Sequence, residues 1–162
     1  MRAWMMGLAA MGLALAGCAT TAGAAGDQVE SITYETGPCF GACPVYRVTV
    51  GRDGSSQFVG RRFTAVTGER RFSVTPAQYG AFVRQLEPLR PASGERLYSG
   101  EACELMATDM PSTDVKWREE DGAEQHLYFY FGCDMERNRA IGERLRAAPD
   151  LLSIGDLIGA NR

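Results

Sequence analysis

The sequence predicts an α+β domain, an antiparallel sheet with helices on one face, and three observations carry the prediction. Two stretches alternate apolar and polar residues on either side of an Asp-Gly dipeptide, Asp53-Gly54 and Asp121-Gly122. Such alternation marks half-buried strands, and Asp-Gly supplies the positive dihedral angles of a tight hairpin. Each hairpin is followed by apolar residues at helical spacing, and a length of 162 residues with 45% hydrophobic and 23% charged side chains suits one domain.

The elements follow in order. Residues 29–36 alternate weakly and predict a first strand. In residues 45–50, Tyr46, Val48 and Val50 face one way and Arg47 and Thr49 the other; residues 57–60 return after Asp53-Gly54. A further strand is expected over 69–74. Thr75-Pro76 then marks a helix start, because the threonine hydroxyl can cap free amides and proline is preorganised for the first turn. Tyr79, Phe82, Val83 and Leu86 form its apolar face before Pro88. Residues 90–111 read as a long loop ordered by Cys103. Thr113, Val115 and Trp117 alternate again, and Leu127, Phe129 and Phe131 return after Asp121-Gly122. A helix is expected over 136–147 with Ile141 and Leu145 inward, and after Pro149 a short apolar helix over 151–158. The recurrence of strand, Asp-Gly, strand and helix suggests two tandem β-β-α halves, although the architecture does not depend on duplication.

The amino terminus predicts an address. Arg2 precedes an apolar run over 3–15, too short to span a bilayer permanently, ending in Leu15-Ala16-Gly17-Cys18. That tetrapeptide resembles the lipobox of bacterial lipoproteins at all four positions. Residues 1–17 are therefore expected to be a signal peptide, and Cys18 the lipid-bearing first residue of the mature chain. The partner so implied is a membrane, since acyl chains contribute about 0.8 kcal/mol per buried methylene. Ala19, where an aspartate would suggest inner-membrane retention, favours the periplasmic face of the outer membrane. Residues 18–28 lack large apolar side chains and read as a flexible tether, leaving 29–162 as the domain.

Removing residues 1–17 takes away Arg2 and leaves 16 basic against 20 acidic side chains. An acidic domain gains no counterion-release attraction to phosphate backbones, so no nucleic-acid partner is expected. Arg61-Arg62 and Arg70-Arg71 read as solvated positions.

Export would leave Cys39, Cys43, Cys103 and Cys133 in an oxidising compartment, where an even number reads as two disulfides with three connectivities. Cysteines four apart in an extended strand lie over about 10 Å apart, too far to bond. Gly37, Pro38, Gly41 and Pro44 are turn formers that can bring Cys39 and Cys43 within reach. Such a ring adds about 2 kcal/mol, so its role would be local shape. A Cys103–Cys133 bond would pin the long loop to the end of the second hairpin, worth roughly 3–4 kcal/mol.

No catalytic residues are expected. With His126 the single histidine and no Gly-x-Ser-x-Gly turn, hydrolytic triads find little support. Glu101, Glu104, Asp109 and Asp114 gather carboxylates near the long loop, by default solvated. No cofactor or metal is expected; the alternative is a thiol-based copper or redox site, in which Cys39, Cys43 and His126 would be ligands. The Cys-x-x-x-Cys-Pro order resembles copper-assembly proteins of thioredoxin-like fold, but there the cysteines lead into a helix, and here a strand pattern follows. Tyr128 and Tyr130 lie on the outer face of their strand, either covered by a helix or left as an aromatic surface for a partner.

The run Gly-Pro-Cys-Phe-Gly-Ala-Cys-Pro-Val-Tyr-Arg-Val-Thr-Val from Gly37 to Val50, with Asp53-Gly54 and Gly60 after it, resembles an uncharacterised domain of bacterial secreted proteins and lipoproteins. Thr108-Asp109-Met110-Pro111 and the segment 154–158 look like that family's second half. The resemblance implies secretion, one domain and a paired Cys39–Cys43, and no reaction. The expectation is thus a non-enzymatic module that binds an envelope protein or polymer through its sheet or long loop. Intact-mass analysis of membrane-extracted protein, alkylated without reductant, should show acyl mass on Cys18 and no alkylated cysteine elsewhere. Alkylation at Cys39 and Cys43 would instead favour the copper or redox alternative.

Overall fold

The computed structural model describes residues 29–159; the expected signal peptide, Cys18, the tether and the last three residues lie outside them. Seven strands form one sheet: β1 (Val29–Thr36), β2 (Val45–Gly51), β3 (Ser55–Arg62), β4 (Gly68–Ser73), β5 (Glu95–Tyr98), β6 (Ser112–Glu119) and β7 (Glu124–Tyr130). Their order is β4-β3-β2-β1-β6-β7-β5, and every pairing is antiparallel except that of β5 with β7. Helices α1 (Pro76–Leu86), α2 (Arg139–Ala147) and α3 (Gly155–Ile158) complete an α+β fold.

The strand register explains the core. Phe58, Val48, Tyr34, Val115 and Leu127 stand in one row across five strands, and Val50, Ile32 and Trp117 stand in the next. All eight are buried and point to the same face, as the two-residue period requires. Tyr79, Phe82, Val83 and Leu86 of α1 and Leu145 of α2 cover that face, joined by Leu152 and Ile154. The opposite face carries Ser31, Thr33, Thr49, Gln57, Lys116 and Arg118 and lies open, with a shallow depression of about 920 Å³ over one half.

Local chemistry sets the turns and caps. At both Asp-Gly turns the glycine takes a positive φ (84° and 86°), and the aspartate accepts the N–H two residues on, at 2.9 Å in each. Thr75 and Gln78 form a reciprocal capping box at the start of α1, with Pro76 as its first residue.

Three features depart from the sequence reading. Residues 90–111 are not a plain loop: they contain β5 and a short 3-10 turn at Gly100–Ala102. Four residues with Glu95 and Arg96 outward give too little alternation to read, and they suit a short, charged sheet edge. Helix α2 begins three residues later than expected, after a turn in which Asp134 has φ 42°. The two hairpins flank β1 and extend outward from it in opposite directions, with α1 and α2 on the same face. That places them in mirror-related arrangements that no rotation superimposes, so they are not equivalent halves.

The core is closed by side chains that cross between layers. The Tyr34 hydroxyl donates to the Leu145 carbonyl at 3.0 Å, and that of Tyr79 to the Val29 carbonyl at 2.8 Å. At the far end, the nearly buried Arg90 guanidinium bridges Glu119 and Gln125 of the second hairpin. Phe82, fully buried against the Tyr34 ring, is central to this packing. Phe82→Ala should cost about 3–5 kcal/mol, read as a lower urea midpoint with unchanged slope.

Candidate functional site

Both cysteine pairs are joined, and both lie at the same end of the sheet. Cys39 and Cys43 have Cα atoms 5.8 Å apart, and Cys103 and Cys133 5.2 Å. Residues 37–44 turn between β1 and β2. The turn is held from inside by the Thr36 hydroxyl, which donates to the Pro44 carbonyl at 2.8 Å and accepts the Tyr46 N–H at 3.0 Å. From the side it is held by the long connection: Gly37 N–H donates to the Ser112 carbonyl at 2.8 Å and Phe40 N–H to the Asp109 carbonyl at 3.1 Å. With its backbone fixed in this way, Phe40 projects into solvent, 87% exposed.

Segment 104–111 lies between this turn and residues 130–134. Ala107 N–H donates to the Gly132 carbonyl at 2.9 Å, Phe131 N–H to the Pro111 carbonyl at 3.0 Å, and Met110 N–H to the Tyr130 hydroxyl at 3.2 Å. A Cβ on Gly132 would sit 2.1 Å from the Ala107 carbonyl, so this close approach requires glycine. The long connection, not a helix, therefore engages Tyr130, and Tyr128 borders the open sheet face. Leu105 and Met106 project outward, 77% and 56% exposed.

Asp134 is the anchor of this segment, and the sequence reading missed it. Its carboxylate accepts the Leu105 N–H at 2.8 Å and the Glu104 N–H at 3.1 Å, while its own N–H donates to the Leu105 carbonyl. The one available signal was its place beside Cys133. The Leu105 N–H above all, with the Glu104 N–H and the Arg137 guanidinium, holds this carboxyl below the usual range against the opposing effect of desolvation.

The carboxylates singled out from sequence do not form one constellation. Glu101 is exposed in the 3-10 turn, Glu104 pairs with Arg137 at 2.6 Å, and the Asp109 side chain accepts from the Thr108 hydroxyl. Asp114 meets His126 Nε2 at 2.9 Å on the open face, and Glu95 approaches Nδ1 at 3.4 Å. His126 is not brought to the cysteine turn. Gly37 aligns with Ser112 and His126 with Lys116, four residues further along β6, or about 13 Å at strand rise.

A second feature of this end is a cleft of about 270 Å³ between the cysteine turn and the segment that follows α2. Its apolar wall includes Tyr34, Tyr46, Pro44, Pro111 and Phe131, with Arg146 and Asp150 at the lining. Burial pushes the Tyr34 phenol up to about 12 and raises that of Tyr46 well above its usual value. Asp150 lines the same cleft as both phenols, and its charge adds a minor part to both shifts.

Asp134 gives the loop a pH dependence of known sign. A carboxyl with a lowered folded-state value stabilises fully above the usual carboxylate range, and that stability is lost as pH falls through the lowered value. Asp134→Asn should therefore reduce stability at neutral pH and flatten the acid limb of the stability profile. Hydrogen exchange at the Glu104 and Leu105 amides, followed from neutral to acid pH, would show it locally.

The comparisons with known proteins agree with the expectation of an uncharacterised domain family. A family model described as Domain of unknown function (DUF6438) matches residues 30–148. No curated protein matches the chain. The matched span contains β2 to β7, all of β1 but Val29, both cysteine pairs and the whole of α2, and the chain belongs to this family of domains of unknown function.

Proposed function

We propose that this chain is a lipid-anchored envelope protein, cut before Cys18 and held on the periplasmic face of the outer membrane, that acts by binding rather than by catalysis. Its partner would be an envelope protein or polymer, and no cofactor takes part. The observation that supports this most directly is the presentation of Phe40, Leu105 and Met106. These large apolar side chains stand in solvent on backbone fixed by two disulfides and a ladder of hydrogen bonds.

Exposed apolar side chains gain free energy when a partner covers them, about 1.5–3 kcal/mol for one such side chain fully buried. Cross-linked backbone adds to the effect, because little ordering entropy remains to be lost on binding. A copper reading needs Cys39 and Cys43 as thiolates, whereas here their bond closes the turn that presents Phe40.

Crosslinking in intact envelopes tests the proposal. The wild-type chain should recover a specific partner, and a Phe40→Ser, Leu105→Ser variant of unchanged stability should recover at least about tenfold less. A loss of 1.4 kcal/mol corresponds to that factor. Recovery of nothing specific, or equal recovery by both proteins, would remove the case for this surface.

A further inference from the structure

The cleft beside the cysteine turn has three unused polar groups around an apolar wall. The Tyr46 ring packs into the core while the residue also lines the cleft, and its hydroxyl has no hydrogen-bond partner among the described residues, in contrast to Tyr34, whose hydroxyl donates to the Leu145 carbonyl. Arg146 lies over the Phe131 ring, its guanidinium carbon 4.3 Å from the centroid, and no carboxylate pairs with it among the described residues. Asp150, one helical turn further on, has no cationic partner there either, and its charge reaches the phenols of Tyr34 and Tyr46. A hydroxyl without a protein partner at a cleft is free to donate to a ligand carbonyl.

We propose that this cleft binds the carboxyl-terminal residue of a peptide chain. This deepens the binding function proposed above and rests on it. The terminal carboxylate pairs with Arg146, whose planar guanidinium suits a two-oxygen acceptor. The terminal amide N–H donates to Asp150, the preceding carbonyl accepts from the Tyr46 hydroxyl, and an apolar side chain lies against Tyr34, Pro44 and Phe131.

The pair of opposite charges narrows the choice. A simple anion meets Asp150, a simple cation meets Arg146, and an uncharged apolar molecule leaves both without partners. A chain end presents an anion, a donor and an apolar group on adjacent atoms. The volume, about 270 Å³, falls just below the roughly 300–1,000 Å³ of sites that enclose a drug-sized molecule, which suits one end of a chain rather than a whole ligand.

The test uses the full chain solubilised in detergent and titrates it with N-acetyl-glycyl-alanyl-leucine as the free acid, as its amide, and with 4-methylpentanoate, which keeps the carboxylate and the apolar group but has no amide. The free acid should bind, and the amide should bind about tenfold to a hundredfold more weakly, as loss of a charge-assisted pair implies. Arg146→Gln should weaken the acid by a similar factor while leaving the amide unchanged, and Tyr46→Phe should weaken both severalfold. Thermal unfolding of each variant controls for loss of fold. Equal affinity for acid and amide, or no binding of either, overturns the proposal. 4-Methylpentanoate binding as tightly as the peptide shows a free carboxylate as the ligand and also overturns it. Binding of short-chain phosphatidylethanolamine, with no peptide binding, would assign the charges to a lipid headgroup and overturn the proposal. Failure here with envelope crosslinking through Phe40 intact would strike the cleft alone; loss of both would strike the binding function itself.

Discussion

The double pairing of β1 is the constraint on which the rest of the molecule depends. This strand pairs with β2 from Ser31 to Glu35 on one side and with β6 along its whole length on the other. It thereby aligns two hairpins that otherwise share no ladder, and it sets the row in which Phe58, Val48, Tyr34, Val115 and Leu127 meet the helices. A slip of one residue in β1 would turn Ile32 and Tyr34 to the polar face, so the register is held by hydrophobic burial as much as by hydrogen bonds. The cysteine turn continues directly from its end, and segment 104–111 runs directly into β6. Geometry at the candidate site is therefore inherited from the centre of the sheet.

The two ends of the sheet are fixed by different physics. At one end, Arg90 and its partners close the structure with charge-assisted hydrogen bonds in a nearly buried setting. At the other, covalent bonds and backbone hydrogen bonds carry the task, with apolar side chains left outside. Burying charge favours a unique arrangement over a flexible one only when every partner is present. The disulfide end has no such requirement, and it can present side chains to solvent without loosening.

What could be read from sequence was local. The Asp-Gly turns, the Thr75-Pro76 cap and the alternation of β2, β6 and β7 each depend on residues within a few positions of one another, so their chemistry is visible in the chain. Turn formers brought Cys39 and Cys43 within reach, and Cys103–Cys133 was expected beside them, but the bridge between Met106 and Cys133 that accompanies the second bond is announced by no local pattern. Asp134, Arg90 and β5 were illegible for the same reason: each acts on residues about 30 positions away. The cleft draws on β1, β2, the segment before β6 and the residues after α2, and no single stretch of sequence shows it.

The position of β1 also has a kinetic consequence. Tyr34 and Thr113, neighbours in the finished sheet, are 79 residues apart in the chain. The first strand can pair with β2 soon after both exist, but its other edge must wait for β6. Loop closure over that distance is slow relative to hairpin formation, and a folding intermediate would carry an exposed strand edge at what becomes the centre of the sheet. During that interval the chain is most exposed to pairing with a second copy, and the late arrival of β6 ends the exposure.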